Sequence, residues 1–211
     1  MDWATASSLA TAGGTLVLAA ATFASIRSAN RAARVAEIAV MANLRPLLMH
    51  SRLDDHDQKV GFQDGKWFLV PGGMGAAEVT DQAVYLVMSV RNVGSGTAVL
   101  HGWWLSEPNV GIGAGDPPPL EEMTRLTRDI FVPGGDVGFW QGSFRDPASD
   151  GYALARRLIE TGESIGIAVM YGDLEGGQRT ITRFNMIPRP DQQARLVAAG
   201  RVWNVDRPAS R

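Results

Sequence analysis

The chain has 211 residues, 20 basic against 22 acidic ones for a net charge of −2, and no cysteine. The missing cysteines exclude disulfides, thiolate metal centres and thiol nucleophiles. The basic residues are scattered rather than striped, which leaves no electrostatic footprint for nucleic acid.

The first element read along the chain is apolar. Trp3 to Ile26 carries no charge, and Arg27, Arg31 and Arg34 follow closely. About 20 mainly apolar residues suffice for a helix to cross the hydrocarbon core, so the segment predicts one transmembrane helix in a lipid bilayer. A secretory signal would want positive charge before a shorter core. Here only the amino terminus and Asp2 precede the run, although Ala19-Ala20-Ala21 could mimic a cleavage site. Four arginines (Arg27, Arg31, Arg34 and Arg45) lie on the carboxyl side and none on the other. The positive-inside rule then predicts a single-pass protein of the plasma membrane, with its N-terminus outside and its C-terminal domain cytoplasmic. Trp3 suits an interfacial anchor.

Small residues dominate the predicted span. Ala6, Ala10 and Gly14 form one line at four-residue spacing, and Ser7, Thr11, Thr15 and Ala19 form another. Such lines let a second helix approach closely, which points to a homo-oligomer or a partner membrane protein. The alternative is a weakly hydrophobic anchor whose alanines, like the excess of arginine over lysine, follow base composition. Ser25 to Leu44 has neither Gly nor Pro, so the helix is expected to continue as a juxtamembrane segment and stop at Arg45-Pro46. Arg27, Arg31 and Arg34 would then mark topology or hold anionic headgroups.

The remaining residues read as β. In Val84–Arg91 the apolar Val84, Leu86, Met88 and Val90 alternate with their neighbours, as a half-buried strand requires. A turn at Asn92–Gly96 and a strand over Thr97–Leu105 complete a hairpin. Ser164–Tyr171 and Arg179–Ile187 form another around Gly172–Gly177. Shorter strands are expected at Leu47–Ser51, Val60–Phe62, Trp67–Val70, Asp129–Val132 and Val137–Phe144. Helices are expected over Tyr152–Thr161, with Asp150 near its cap and Gly162 as its stop, and over Asp191–Ala199. The fold class is therefore mainly β: an antiparallel β-sandwich after the long helix, with one or two short helices. The organisation is 1–45 for the membrane helix, 46–189 for the sandwich and 190–211 for a C-terminal helix and tail.

Val90-Arg91-Asn92-Val93-Gly94-Ser95-Gly96-Thr97-Ala98 resembles the strand–turn–strand of bacterial immunoglobulin-like domains. The whole chain is similar to uncharacterised actinobacterial single-span membrane proteins with an immunoglobulin-like β-sandwich domain. The similarity lies in the Arg27–Arg34 helix, His101-Gly102-Trp103, Gly138–Gly142, Gly177–Ile181 and Trp203–Arg207. It implies the architecture and brings no activity across.

Candidate chemistry is sparse. His50, Asp54, Asp55, His56 and Asp57 form the densest set of metal-ligand types, with His50, Asp54, His56 and Asp57 the weak candidates. Their spacing matches no helical pair and no third distant histidine completes a site, so no metal or other cofactor is expected. Asp173 and Glu175 lack the further oxygens that a calcium loop needs. Gly111-Ile112-Gly113-Ala114-Gly115 is followed by Asp116 and three prolines, so no helix opens on it to hold a phosphate. His101 would need a carboxylate or nucleophile, for which only Ser95 and Asp129 offer themselves. Trp103 and Trp104 are adjacent on a strand, so one must face away from the core, and the pair is the candidate partner surface. The sequence thus points to a membrane-anchored cytoplasmic protein-binding module, a scaffold or accessory subunit without catalytic activity. Its alternative is a self-assembling membrane effector or sensor that responds to a small ligand.

Overall fold

The computed structural model describes residues 2–106, 116–190 and 192–206. Two compact units divide the chain, Met1–Asn43 and Leu44–Arg211.

The first unit is helix α1 (Trp3–Asn43), 41 residues long. At 1.5 Å per residue it extends about 60 Å, roughly twice the hydrocarbon core. Its stretch Thr11–Asn43 is long and apolar enough to cross a membrane, and none of its apolar window is buried within the chain. The hydroxyls of Thr11, Thr15 and Thr22 each donate to the carbonyl four residues back, at 2.8 to 2.9 Å. That pairing removes most of the cost of placing a hydroxyl in lipid. The helix ends two residues before Arg45, because the residue preceding Pro46 avoids the α region.

The second unit runs through β1 (Leu48–His50), β2 (Gln58–Gly61), β3 (Trp67–Val70), β4 (Met74–Val79), β5 (Val84–Asn92) and β6 (Ala98–Ser106). A short 3-10 turn (Leu120–Glu122) precedes β7 (Thr124–Val132) and β8 (Val137–Phe144). Then come α2 (Asp150–Glu160), β9 (Ile165–Gly172), β10 (Arg179–Arg189) and β11 (Gln192–Asn204). Nine strands make one antiparallel sheet in the order β8-β5-β4-β11-β10-β9-β6-β7, with β1 beside the far end of β5. The sheet curls until its outer strands meet: a Cβ on Gly138 of β8 would lie 2.8 Å from Val132 of β7.

The predicted alternation supplies the interior of this curl. Val84, Leu86, Met88 and Val90 of β5 share one core with Ile165, Ile167, Val169 and Tyr171 of β9. Trp103 and Trp140 meet edge to face there, with ring centroids 5.2 Å apart. Helix α2 adds Tyr152, Ala155 and Leu158 to the same core. Ser149 caps its start, and Gly162, at φ +68°, closes its end. The β2–β3 hairpin forms a second layer outside. Val60 and Val70 pack on Val87, while Phe62 and Phe68 surround Tyr85.

The mainly antiparallel β class behind a long apolar helix is as the sequence predicts. The described strands form one curled sheet and a hairpin, however, rather than two stacked sheets of an immunoglobulin sandwich. The expected C-terminal helix is instead β11. That segment lies between β10 and β4 and buries Val197 in the core, and strand pairing on both sides overrides its helical propensity. Strand β4 escapes the alternation signal because its residues are mostly small. Gly75 is required there, since a Cβ would lie 2.7 Å from Met186 and 2.8 Å from the Val87 carbonyl.

Candidate interaction surface

The chain passes into the sheet through a tight collar. Asn92 is fully buried at the end of β5. Its Oδ1 accepts from the amides of Leu47 and Gly94, both at 3.0 Å, and its Nδ2 donates to the carbonyls of Gly96 at 2.7 Å and Val132 at 2.9 Å. All four of its hydrogen-bonding positions are thus used. A Cβ on Gly96 would stand 1.8 Å from the Leu44 carbonyl, and one on Gly94 would stand 2.4 Å from that of Arg45. The Asn-x-Gly-x-Gly turn is therefore a clasp around Leu44–Leu47. The start of β10 and the end of β11 bind Arg45, whose Nη1 donates to Thr180 Oγ1 and Asn204 Oδ1, both at 3.0 Å. Arg45 also pairs with Asp206.

The hairpin layer covers the outward face of β5, but no described element of this unit covers the outward face of β6, β9, β10 and β11. Ala168 and Ile181 are buried on this face, with Trp104, Met170, Trp203 and Val205 half-exposed around them and Met123 at the edge. Register puts Met170 and Trp203 on either side of Ile181. The guanidinium carbons of Arg183 and Arg201 stand 5.2 and 5.9 Å from the Trp203 ring centroid. Tryptophan, methionine and arginine are the residue types enriched where proteins meet.

Of the two candidate tryptophans, only Trp104 lies on this surface. Trp103 is 2 % exposed and belongs to the core, because successive strand residues face opposite ways and Trp140 and Phe144 close around it. Arg183, Arg201 and Trp203 complete the face. Arg183 comes from the expected strand β10, whereas Arg201 and Trp203 lie beyond the helix expected over Asp191–Ala199, in the part of β11 expected as a tail.

The remaining sequence candidates are dispersed. His50 Nδ1 accepts from the Ala199 amide at 3.2 Å. Asp55 pairs with Arg91 at 2.7 Å, and Asp54, His56 and Asp57 lie on the connection to β2. Among the described residues no three histidine or carboxylate side chains come together. His101 lies near Asp129, Asp173 and Arg179, and its side chain makes no hydrogen bond among the described residues. Burial and the Arg179 charge hold its pKa below the usual range against the pull of the two carboxylates. Asp173 Oδ1 accepts from the Gln178 amide at 3.1 Å, closing the turn between β9 and β10. Gly111–Gly115 lies outside the described residues. On α1, Arg27, Arg31 and Arg34 are exposed. The side chains of Ala6 and Ala10 lie outside the described residues, and a Cβ at Gly14 would meet nothing within the chain.

No protein-family model matches the chain, and no curated protein matches it. Among solved structures it is similar to a protein from Archaeoglobus fulgidus known from its crystal structure, at 15 % identity and a TM-score of 0.24, over 62 % of this chain and 93 % of that one. The functional reading rests on the chain's own geometry.

Proposed function

We propose that this protein is a membrane-anchored, cytoplasmic binding module that serves as a scaffold or accessory subunit of a membrane complex. The observation that carries the reading is the uncovered face built from Trp104, Met170 and Trp203 with Arg183 and Arg201 beside it. Its aromatic, thioether and guanidinium groups offer a desolvated centre with a polar rim, the pattern of a protein-binding surface. The cytoplasmic assignment rests on Arg27, Arg31 and Arg34. Arg45, on the same side of the span, adds to that count, since the rule counts basic residues rather than net charge. The similarity to actinobacterial single-span proteins belongs to the same proposal.

The test is gentle extraction of the tagged full-length protein from its native membrane, followed by mass spectrometry. A stoichiometric second protein that is retained by the wild type and lost with Trp203→Ser supports the reading. Recovery of a homo-oligomer alone, unchanged by Trp203→Ser, overturns it in favour of a self-contained effector or sensor. A cytoplasmic-versus-exported reporter fused after Arg211 tests orientation independently.

A further inference from the structure

The curled sheet is split between β4 and β11. Only Met74 and Gly75 of β4 face β11, opposite Leu196 and Arg195. Beyond them β4 pairs with β5 alone as far as Val79, while β11 runs back beside β10 to Gln192. The strands diverge from this vertex and leave a cleft of about 500 Å³. Phe68 and Val70 of β3, Ala76 and Ala77 of β4, and Pro188 and Ala194 across from them supply its apolar surface, and Glu78 and Arg195 its charged residues among those described.

Arg195 lines the cleft at the vertex and is 7 % exposed. Its Nη1 donates to the Glu163 carbonyl at 2.6 Å. That carbonyl follows the closing turn of α2, where the amides of Gly162 and Glu163 return to the carbonyls of Ile159 and Leu158. The helix end thus holds the guanidinium through its negative pole. No carboxylate among the described residues pairs with Arg195. Among the described residues the other charged one lining the cleft, Glu78, is engaged by Lys66 at 2.6 Å. A guanidinium carries five N–H donors in a planar fork matched to a carboxylate, and a buried cation normally has an anionic partner.

We propose that this cleft is a binding site for a small molecule with a carboxylate on an apolar body, the carboxylate on Arg195 and the body between β3 and β4. The volume falls among those of small-ligand sites, and the lining follows their pattern of apolar walls with a few polar groups. This inference does not depend on the protein-binding face, because Trp104, Met170, Arg183, Arg201 and Trp203 do not line the cleft.

The experiment is fluorine NMR of para-fluorophenylacetate with the full-length protein in nanodiscs, and para-fluorophenylacetamide as the neutral isostere. Saturable binding of the acid is expected, with the amide weaker by about tenfold or more. Arg195→Gln should weaken the acid to the level of the amide. Ala194→Trp should abolish binding of both by filling the rim while leaving the guanidinium in place. That variant carries the test if Arg195→Gln fails to fold, as judged by circular dichroism. Equal affinity for acid and amide, unaltered binding to folded Ala194→Trp, or no binding of the acid at millimolar concentration would each overturn the proposal.

Discussion

Arg45 closes on Asp206 through both guanidinium nitrogens, with Nη1 at 3.0 Å from Oδ1 and Nη2 at 2.5 Å from Oδ2. The pair joins the residue before Pro46 to the turn that follows the last strand. The side chains are only 14 % and 15 % exposed, so this is not a solvent-screened surface pair. Burial would raise the Asp206 pKa, but the hydrogen bonds from Arg45 and the Arg179 amide outweigh it and hold the carboxyl below its usual range. Arg45→Ala strands a largely buried carboxylate and should cost about 2 kcal/mol, with Asp206→Asn costing less. A double-mutant cycle in urea should give a coupling of about 1 kcal/mol. Additive effects would show that the pair is incidental.

The collar gives a sharper test. Gly96→Ala brings a methyl group against the Leu44 carbonyl, and backbone cannot yield as a flexible side chain would. A loss of about 3 kcal/mol or more is expected from denaturant titration. Asn92→Ala abandons two amides and two carbonyls together and should cost a similar amount. Wild-type stability in either variant would refute the clasp.

Asp64 sets an acid limit on stability. The Tyr85 hydroxyl and then the Arg145 guanidinium, at 2.7 Å from Oδ2, lower its pKa from 3.8 to about 2. The folded value lies below the unfolded one, so the contribution is complete above about pH 4 and is lost as pH falls through about 2. Asp64→Asn should destabilise the protein by about 1 kcal/mol at pH 7, after allowance for solvent screening, and by progressively less as pH falls from about 4 through about 2. Parallel stability profiles of variant and wild type between pH 2 and pH 5 would contradict this.

Gly14→Leu isolates contact between helices. Nothing within the chain lies near an added side chain at Gly14, so a change must come from outside it. If the small-residue line supports association, the oligomeric mass seen for the wild type in nanodiscs should fall toward that of the monomer in Gly14→Leu. An unchanged mass assigns Ala6, Ala10 and Gly14 to simple anchoring.

Much of this architecture could be read from local patterns. The long uncharged run predicts α1, and period-two alternation in Val84–Arg91 predicts β5 with the correct inward residues, because both depend on near neighbours. Trp67–Val70 and Val137–Phe144 match their strands end to end. Adjacent Trp103 and Trp104 had to face opposite ways, but which one met the core depended on how the sheet curls.

The sequence by itself determined the apolar helix, most strands, and the turn residues that separate them, since each follows from backbone preference or hydrophobic period. Only the tertiary structure decided that Gln192–Asn204 is a strand, because pairing with β10 and β4 outweighs local propensity there. It alone made Asn92, Gly94 and Gly96 a clasp on Leu44–Leu47, and Asp206 the partner of Arg45. It also brought Arg195 to the head of an apolar cleft. These contacts join residues far apart in the chain, so no local period can announce them.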